Sequence, residues 1–222
     1  MIIIPAYNED PGVLAATLQE WSTLDLPIVV VDDGSLVAVD VPSLTIELTV
    51  VRHATNRGQG AALRTGFATA LARNASYVIT VDADGQHRVE DGGRMVAALH
   101  EERTDVVFGS RFLERDGHRT VPTLRRMVLR LARMYSNYIT GLPLTDAHNG
   151  LRVIDASVLP RIRITEDGMA HATEIPLRVK QLKLSWLEVP VTIRYTAYSQ
   201  RKARSLLYAI PLLVRIWNLR GR

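Results

Sequence analysis

Short apolar runs alternate with longer stretches of helical periodicity, and that alternation limits the folds open to this chain. Met1–Ile4, Ile28–Val31, Leu44–Val51, Tyr77–Val81 and Asp105–Phe108 read as strands; Pro11–Leu24, Gln59–Ala72 and Val89–His100 read as helices. Helical crossovers between consecutive strands require a mostly parallel sheet. The expected fold class is therefore α/β, a Rossmann-like central sheet flanked by helices, with ligands at the carboxyl ends of the strands. At 222 residues the chain has the length of one domain, with room for an appendage.

The second half is patterned differently. Thr120–Thr140 reads as a helix with an apolar stripe through Leu124, Met127, Val128, Leu131, Met134, Tyr135 and Tyr138, and with Arg126, Arg130 and Arg133 on another face. Leu187–Tyr195 reads as a late strand interrupted by Pro190, and Leu206–Arg222 as an amphipathic helix bent at Pro211. The division that follows is a main domain over residues 1–200 and a basic amphipathic tail over 201–222.

Composition narrows the chemistry. There is no cysteine, which excludes disulfides, thiolate metal sites and a cysteine nucleophile. No run of about 20 apolar residues exists to span a bilayer, and the opening apolar run has no basic flank of the kind a targeting segment carries. The formal net charge is +4, but its placement says more. Arg111–Arg133 holds seven arginines, and Val189–Arg222 holds seven basic residues and no acidic one. Basic faces of this kind seek phosphate. No nucleic-acid recognition motif or aromatic stacking platform accompanies them, so nucleic acid is not expected as a partner.

Polar clusters follow the strands: PAYNE (Pro5–Glu9), VDDGS (Val31–Ser35), DADGQH (Asp82–His87) and GSRF (Gly109–Phe112). In a parallel sheet such clusters converge on one cleft. Turn chemistry alone accounts for some Asp and Gly there, but carboxylates in three of the four exceed what turns need. The Asp82/Asp84 pair suits a hard divalent cation held by one or two carboxylates plus substrate phosphate, with Gln86 adding an oxygen. The glycine-rich stretch NRGQGAALRTGF (Asn56–Phe67) lacks the Gly-Lys-Ser/Thr of a Walker A loop. Its glycines let a helix start near the cleft, where amides such as that of Gly60 could face an anion.

These motifs, in this order and followed by DAHNGLR (Asp146–Arg152) and EVPVTIRY (Glu188–Tyr195), resemble glycosyltransferase family 2 with the GT-A fold, over nearly the whole chain. The branch most similar is that of dolichol- or polyprenyl-phosphate mannosyltransferases and related bacterial polyprenyl-phosphate sugar transferases. The resemblance implies an inverting, Mg²⁺- or Mn²⁺-dependent transfer of a hexose from a nucleotide sugar. GDP-mannose is the first expected donor and UDP-glucose the second. It places Pro5, Tyr7 and Glu9 in the nucleotide pocket, Asp33 with Asp32 at the base or ribose, Asp82 near sugar and ribose, and Asp84 and Gln86 at the metal.

The acceptor decides whether a base is needed. A sugar hydroxyl requires a carboxylate to take its proton, whereas a lipid phosphate is already anionic and needs cations to hold it. Arg111 and Arg125 match the arginines that hold the acceptor phosphate in the polyprenyl branch. Leu129 departs from the small polar residue often found four positions after the second arginine. Asp146 and Glu174 are therefore fallback bases for a hydroxyl acceptor in a growing glycan. The tail segment YTAYSQRKARS resembles one that closes over the donor diphosphate, with Arg194, Ser199 and Lys202 as candidates. The last helix suits either the membrane interface or packing on the domain. These features point to a peripheral enzyme on the cytoplasmic membrane face, with a separate membrane protein as a possible partner. A non-catalytic nucleotide-sugar or polyanion binder is the alternative of a different class.

Overall fold

A computed structural model describes residues 1–113, 134 and 137–194. Its centre is a seven-stranded sheet in the order β3-β2-β1-β4-β6-β5-β7. The strands are β1 (Ile2–Ala6), β2 (Ile28–Asp32), β3 (Leu48–Arg52), β4 (Tyr77–Thr80), β5 (Val106–Ser110), β6 (Arg152–Asp155) and β7 (Trp186–Pro190). All pairings are parallel except those of β6, which runs antiparallel between β4 and β5. The expected mostly parallel α/β sheet is thus present, with β6 as an insertion that the apolar pattern did not announce. The expected strand at 44–51 forms only from Leu48, and the late strand ends at Pro190.

The apolar runs are continuous because both faces of the sheet are covered. Along β1, Ile3 faces α2 (Gln59–Ala72), in a layer with Ala62, Leu63 and Phe67. Ile2 and Ile4 face the opposite layer, with Leu14, Leu18 and Trp21 of α1 (Pro11–Ser22) and Met95 of α3 (Val89–Glu101). Two contacts fix how close the helices come. A Cβ on Gly66 would lie 2.3 Å from Ile3, and one on Gly92 2.5 Å from the Trp21 ring. Helix α1 starts cleanly because Asp10 accepts from the amides of Gly12 (2.9 Å) and Val13 (3.1 Å), with Pro11 opening the first turn. A fourth helix, α4 (His171–Gln181), was not expected from the sequence; it contains Pro176 and its first residue has no side-chain cap.

The expected Thr120–Thr140 helix lies mostly outside the described residues, although 137–140 are helical. Arg125, Leu129, Ser199, Lys202 and the tail over 201–222 also lie outside them. Among the described residues, no helix is long and apolar enough to cross a membrane.

Candidate active site

At the carboxyl ends of β1, β2 and β4 the structure has a cavity of about 380 Å³. Pro5, Tyr7, Glu9, Asp33, Asp82 and Asp84 all line it, so residues 5 to 84 converge as the motifs imply. The walls also include Asn56, Gly58, Gln59 and Met169. Asp32, Gly60, Gln86, Arg111, Asp146, Glu174 and Arg194 are not among its lining residues.

The two aspartates after β2 are bound by the protein. Asp32 is fully buried and accepts from the amides of Ser35 (2.9 Å) and Val39 (3.4 Å), with Arg52 3.5 Å away. Burial opposes its charge, but these hydrogen bonds outweigh it and hold the carboxyl below its usual range. Asp32 therefore braces its own turn and does not reach into the cavity. Asp33 does reach it, and its carboxylate accepts from the amides of Arg57 (3.0 Å) and Gly58 (2.6 Å) and from His53 Nδ1 (2.7 Å). An ionised carboxylate only accepts, so His53 carries its proton on Nδ1. Its Nε2 lies 2.8 Å from Thr65 Oγ1.

The aspartates after β4 differ. Asp82 Oδ1 accepts from Gln59 Nε2 at 2.9 Å, and Oδ2 lies 3.4 Å from His87 Nε2. Burial works against its charge, yet the His87 hydrogen bond and the positive charges of His87 and Arg152 hold the carboxyl at about 2. Asp84 is pushed the other way, by burial and then by the neighbouring Asp82 anion. Its hydrogen bonds come from Gln86, through the backbone amide (3.2 Å) and the side-chain amide. Two carboxylates thus share one wall with their repulsion only partly offset. That donor set fits a hard divalent cation. Among the described residues no cluster of three or more His, Asp or Glu surrounds a point in space, so remaining ligands would come from diphosphate and water.

Three residues shape this wall: Gly150 and Arg152, which the sequence reading quoted only as part of the DAHNGLR motif with no role of their own, and His171, which it did not single out. A Cβ on Gly150 would lie 2.1 Å from Asp82 Oδ2, so only glycine lets this backbone lie against the carboxylate. Arg152, on β6, is buried behind Asp82, and burial lowers its guanidinium to about 10. His171, the first residue of α4, is buried beside it; burial, with the Arg152 charge, lowers its imidazole to about 4.

The helix-start expectation needs correction. The amide of Gly60 donates to the Asp167 carbonyl at 2.7 Å, and that of Ala61 to the same oxygen at 3.2 Å. A Cβ on Gly60 would lie 2.0 Å from the Glu166 carbonyl. These glycines seat α2 against the 166–168 loop, and the Gly60 amide faces protein and not an anion. Gly58, at φ +100°, makes the turn that leads into it.

Arg111 follows β5, and Asp146 holds it through the side-chain Nε (2.6 Å) and the backbone amide (3.1 Å). Asp146 Oδ2 also accepts from Asn149 Nδ2 at 3.1 Å. Glu188 of β7 holds that loop in turn, accepting from the Thr145 amide (2.8 Å) and the Asp146 amide (3.2 Å). Glu174 is fully buried; it accepts from the amides of Thr165 and Glu166 at 2.9 Å and from Thr165 Oγ1 at 2.7 Å. Arg194 pairs with Glu20 at 2.7 Å, and its amide takes the Gln86 backbone carbonyl at 2.9 Å. Neither Glu174 nor Arg194 meets the cavity.

The family model described as Glycosyl transferase family 2 matches residues 1–163. A polyprenol monophosphomannose synthase from Mycolicibacterium smegmatis is 29% identical over 100% of this chain and 88% of the relative. A UDP-N-acetylglucosamine–dolichyl-phosphate N-acetylglucosaminyltransferase from Methanococcus voltae is 26% identical over 99% of this chain and 95% of the relative. Among solved structures, glucosyl-3-phosphoglycerate synthase from Mycobacterium tuberculosis superimposes with a TM-score of 0.66 at 19% identity, covering 97% of this chain and 78% of that one. That likeness concerns the fold.

Proposed function

Because this chain belongs to glycosyl transferase family 2, we propose that it moves a hexose from a nucleotide sugar to a polyprenyl or dolichyl phosphate with inversion at the sugar. The observation that carries this reading is the convergence of Asp33, Asp82 and Asp84 on one cavity at the strand ends. Tyr7 and Asp33 line the nucleoside end, Asp82 faces the sugar, and Asp84 with Gln86 would hold Mg²⁺ or Mn²⁺. Such a cation supplies Lewis-acid stabilisation of the departing nucleoside diphosphate. The names of the M. smegmatis and M. voltae relatives, with their polyprenol and dolichyl-phosphate substrates, support the lipid acceptor.

The proton inventory supports the same acceptor. A hydroxyl acceptor needs a general base within hydrogen-bond reach. Of the two fallback bases, Asp146 is engaged by Arg111 and Asn149, and Glu174 is sealed inside the 165–166 loop. A phosphate acceptor needs neither. It needs a directed cation, and Asp146 orients the Arg111 guanidinium for that role. Arg125, Lys202 and the basic tail would complete phosphate and membrane-surface contacts on the same reading, with the protein working peripherally on the cytoplasmic face.

The test is incubation with Mn²⁺ and a panel of nucleotide sugars, with and without polyprenyl phosphate, followed by mass analysis of the lipid. A hexose-phosphate lipid is the expected product. Arg111→Ala should lower lipid transfer about 10- to 100-fold and spare donor hydrolysis; an equal fall in both would move Arg111 to the donor.

A further inference from the structure

We infer that Glu20 and Arg194 form a clamp, outside the cavity, that fixes the Gln86–His87 dipeptide and through it the two carboxylates of the DADGQH turn. This rests on the metal reading above and names residues that position that site. Both act through other groups, so they are positioning residues.

Past Pro190 the chain continues as a strap of residues 191–194, each tied to a different neighbour. The Val191 amide donates to the Ser110 carbonyl at 3.0 Å. The Thr192 amide donates to the buried Asp91 carboxylate at 2.7 Å. Ile193 forms an antiparallel bridge with His87, and the Arg194 amide donates to the Gln86 carbonyl at 2.9 Å. The strap therefore ends in main-chain pairing with the dipeptide. Gln86 donates to Asp84 through its backbone and side-chain amides, and His87 Nε2 lies 3.4 Å from Asp82 Oδ2. One dipeptide thus supports both carboxylates.

Glu20, on α1 and 174 positions before Arg194, closes the clamp. Its Oε2 accepts from Arg194 Nη1 at 2.7 Å, and its Oε1 accepts from the Val89 amide at 3.3 Å. One carboxylate thereby holds the strap on one side of the dipeptide and the start of α3 on the other. Helix α3 has no side-chain cap of its own, so Glu20 supplies an acceptor for an amide that a helix start leaves open. The clamp gives Arg194 a role other than the diphosphate contact implied by the resemblance. The Glu20 side chain is 25% exposed and that of Arg194 40%, so water screens the pair and its effect is moderate.

The sign of the Glu20 effect separates the two roles. Mn²⁺ is titrated into the full chain with UDP or GDP present and followed by electron paramagnetic resonance. In a clamp, Glu20→Ala and Arg194→Leu, each checked for folding by circular dichroism, both loosen the turn. Each should weaken Mn²⁺ binding about 3- to 10-fold, less than the loss of a group bonded directly to a metal ligand. The double variant should lose no more than the worse single one. If Arg194 instead holds diphosphate, Glu20→Ala frees it, and binding is unchanged or tighter. That result, or additive losses in the double variant, overturns the clamp and leaves the metal reading standing. Amide exchange of the metal-free chain gives a second readout. The amides of Val89 and Arg194 should exchange faster in Glu20→Ala while those of β1 keep wild-type rates; unchanged exchange at Val89 and Arg194 overturns the clamp. If neither nucleotide raises the Mn²⁺ affinity of the wild type, the metal reading falls, and the positioning role with it.

Discussion

Two aspartate-rich turns flank β1, VDDGS after β2 and DADGQH after β4, and as strings of letters they are nearly alike. Their electrostatics differ. In VDDGS the carboxylates point into backbone: four main-chain amides serve Asp32 and Asp33, and Asp32 is held below its usual range despite burial. In DADGQH the carboxylates are set against each other. Asp82 is stabilised by His87 and Arg152, while Asp84 is pushed upward by burial and by Asp82. A turn of the first kind is finished largely within the protein. A turn of the second kind is left with two carboxylates in mutual repulsion, which on the proposed reading a ligand cation would complete. Composition and spacing do not separate the two; the direction of the hydrogen bonds does.

Three changes would break or sharpen this contrast, in falling order of effect. Asp84→Ala removes the carboxylate that burial and Asp82 push upward and should lower turnover on the order of 10³-fold in the lipid-product assay. Unchanged activity would show that the second turn does not hold the metal. Gly150→Ala forces a methyl group to within 2.1 Å of Asp82 unless the wall moves. It should cut turnover about 10- to 100-fold, with circular dichroism showing the fold retained. Wild-type turnover would mean that the Asp82 wall is not held against this backbone.

The smallest effect concerns stability and pH. His171 ordinarily titrates near 6.5, and burial lowers it to about 4 in the folded chain. Between those values the unfolded chain binds a proton that the folded chain does not, so falling pH destabilises the fold. Urea midpoints taken from pH 7 down to pH 4 should decline, and His171→Gln should flatten that decline. An identical slope in the variant would remove His171 from the account.

Much of this was legible in the sequence, for physical reasons. Strands β1, β2, β4 and β5 carry side chains buried on both faces, so their apolar runs stand out. Asp33, Asp82 and Asp84 were visible because they follow those strands directly. What stayed hidden depends on distant contacts. Strand β6 is four residues long and begins with Arg152, which no apolar pattern marks. Helix α4 contains Pro176 and lacks a side-chain cap, so neither periodicity nor a start signal announced it. The role of Gly150 exists only because Asp82 lies across from it, 68 positions earlier in the chain. The Gly60 amide looked available until the 166–168 loop, about a hundred residues on, proved to occupy it. Glu188 was read as part of a strand motif, and its grip on the loop that orients Arg111 appears only in three dimensions.

The central claim is that the DADGQH turn is completed by a cation shared with a nucleoside diphosphate. Electron paramagnetic resonance titration of Mn²⁺ into the wild-type chain and Asp84→Asn, each with and without UDP, tests it most directly. The account predicts weak Mn²⁺ binding to the wild type alone, because two carboxylates supply only part of a coordination shell. It predicts tighter binding when UDP is present, and loss of that gain in Asp84→Asn. Tight Mn²⁺ binding without nucleotide, or a UDP-dependent gain that survives in Asp84→Asn, would contradict it.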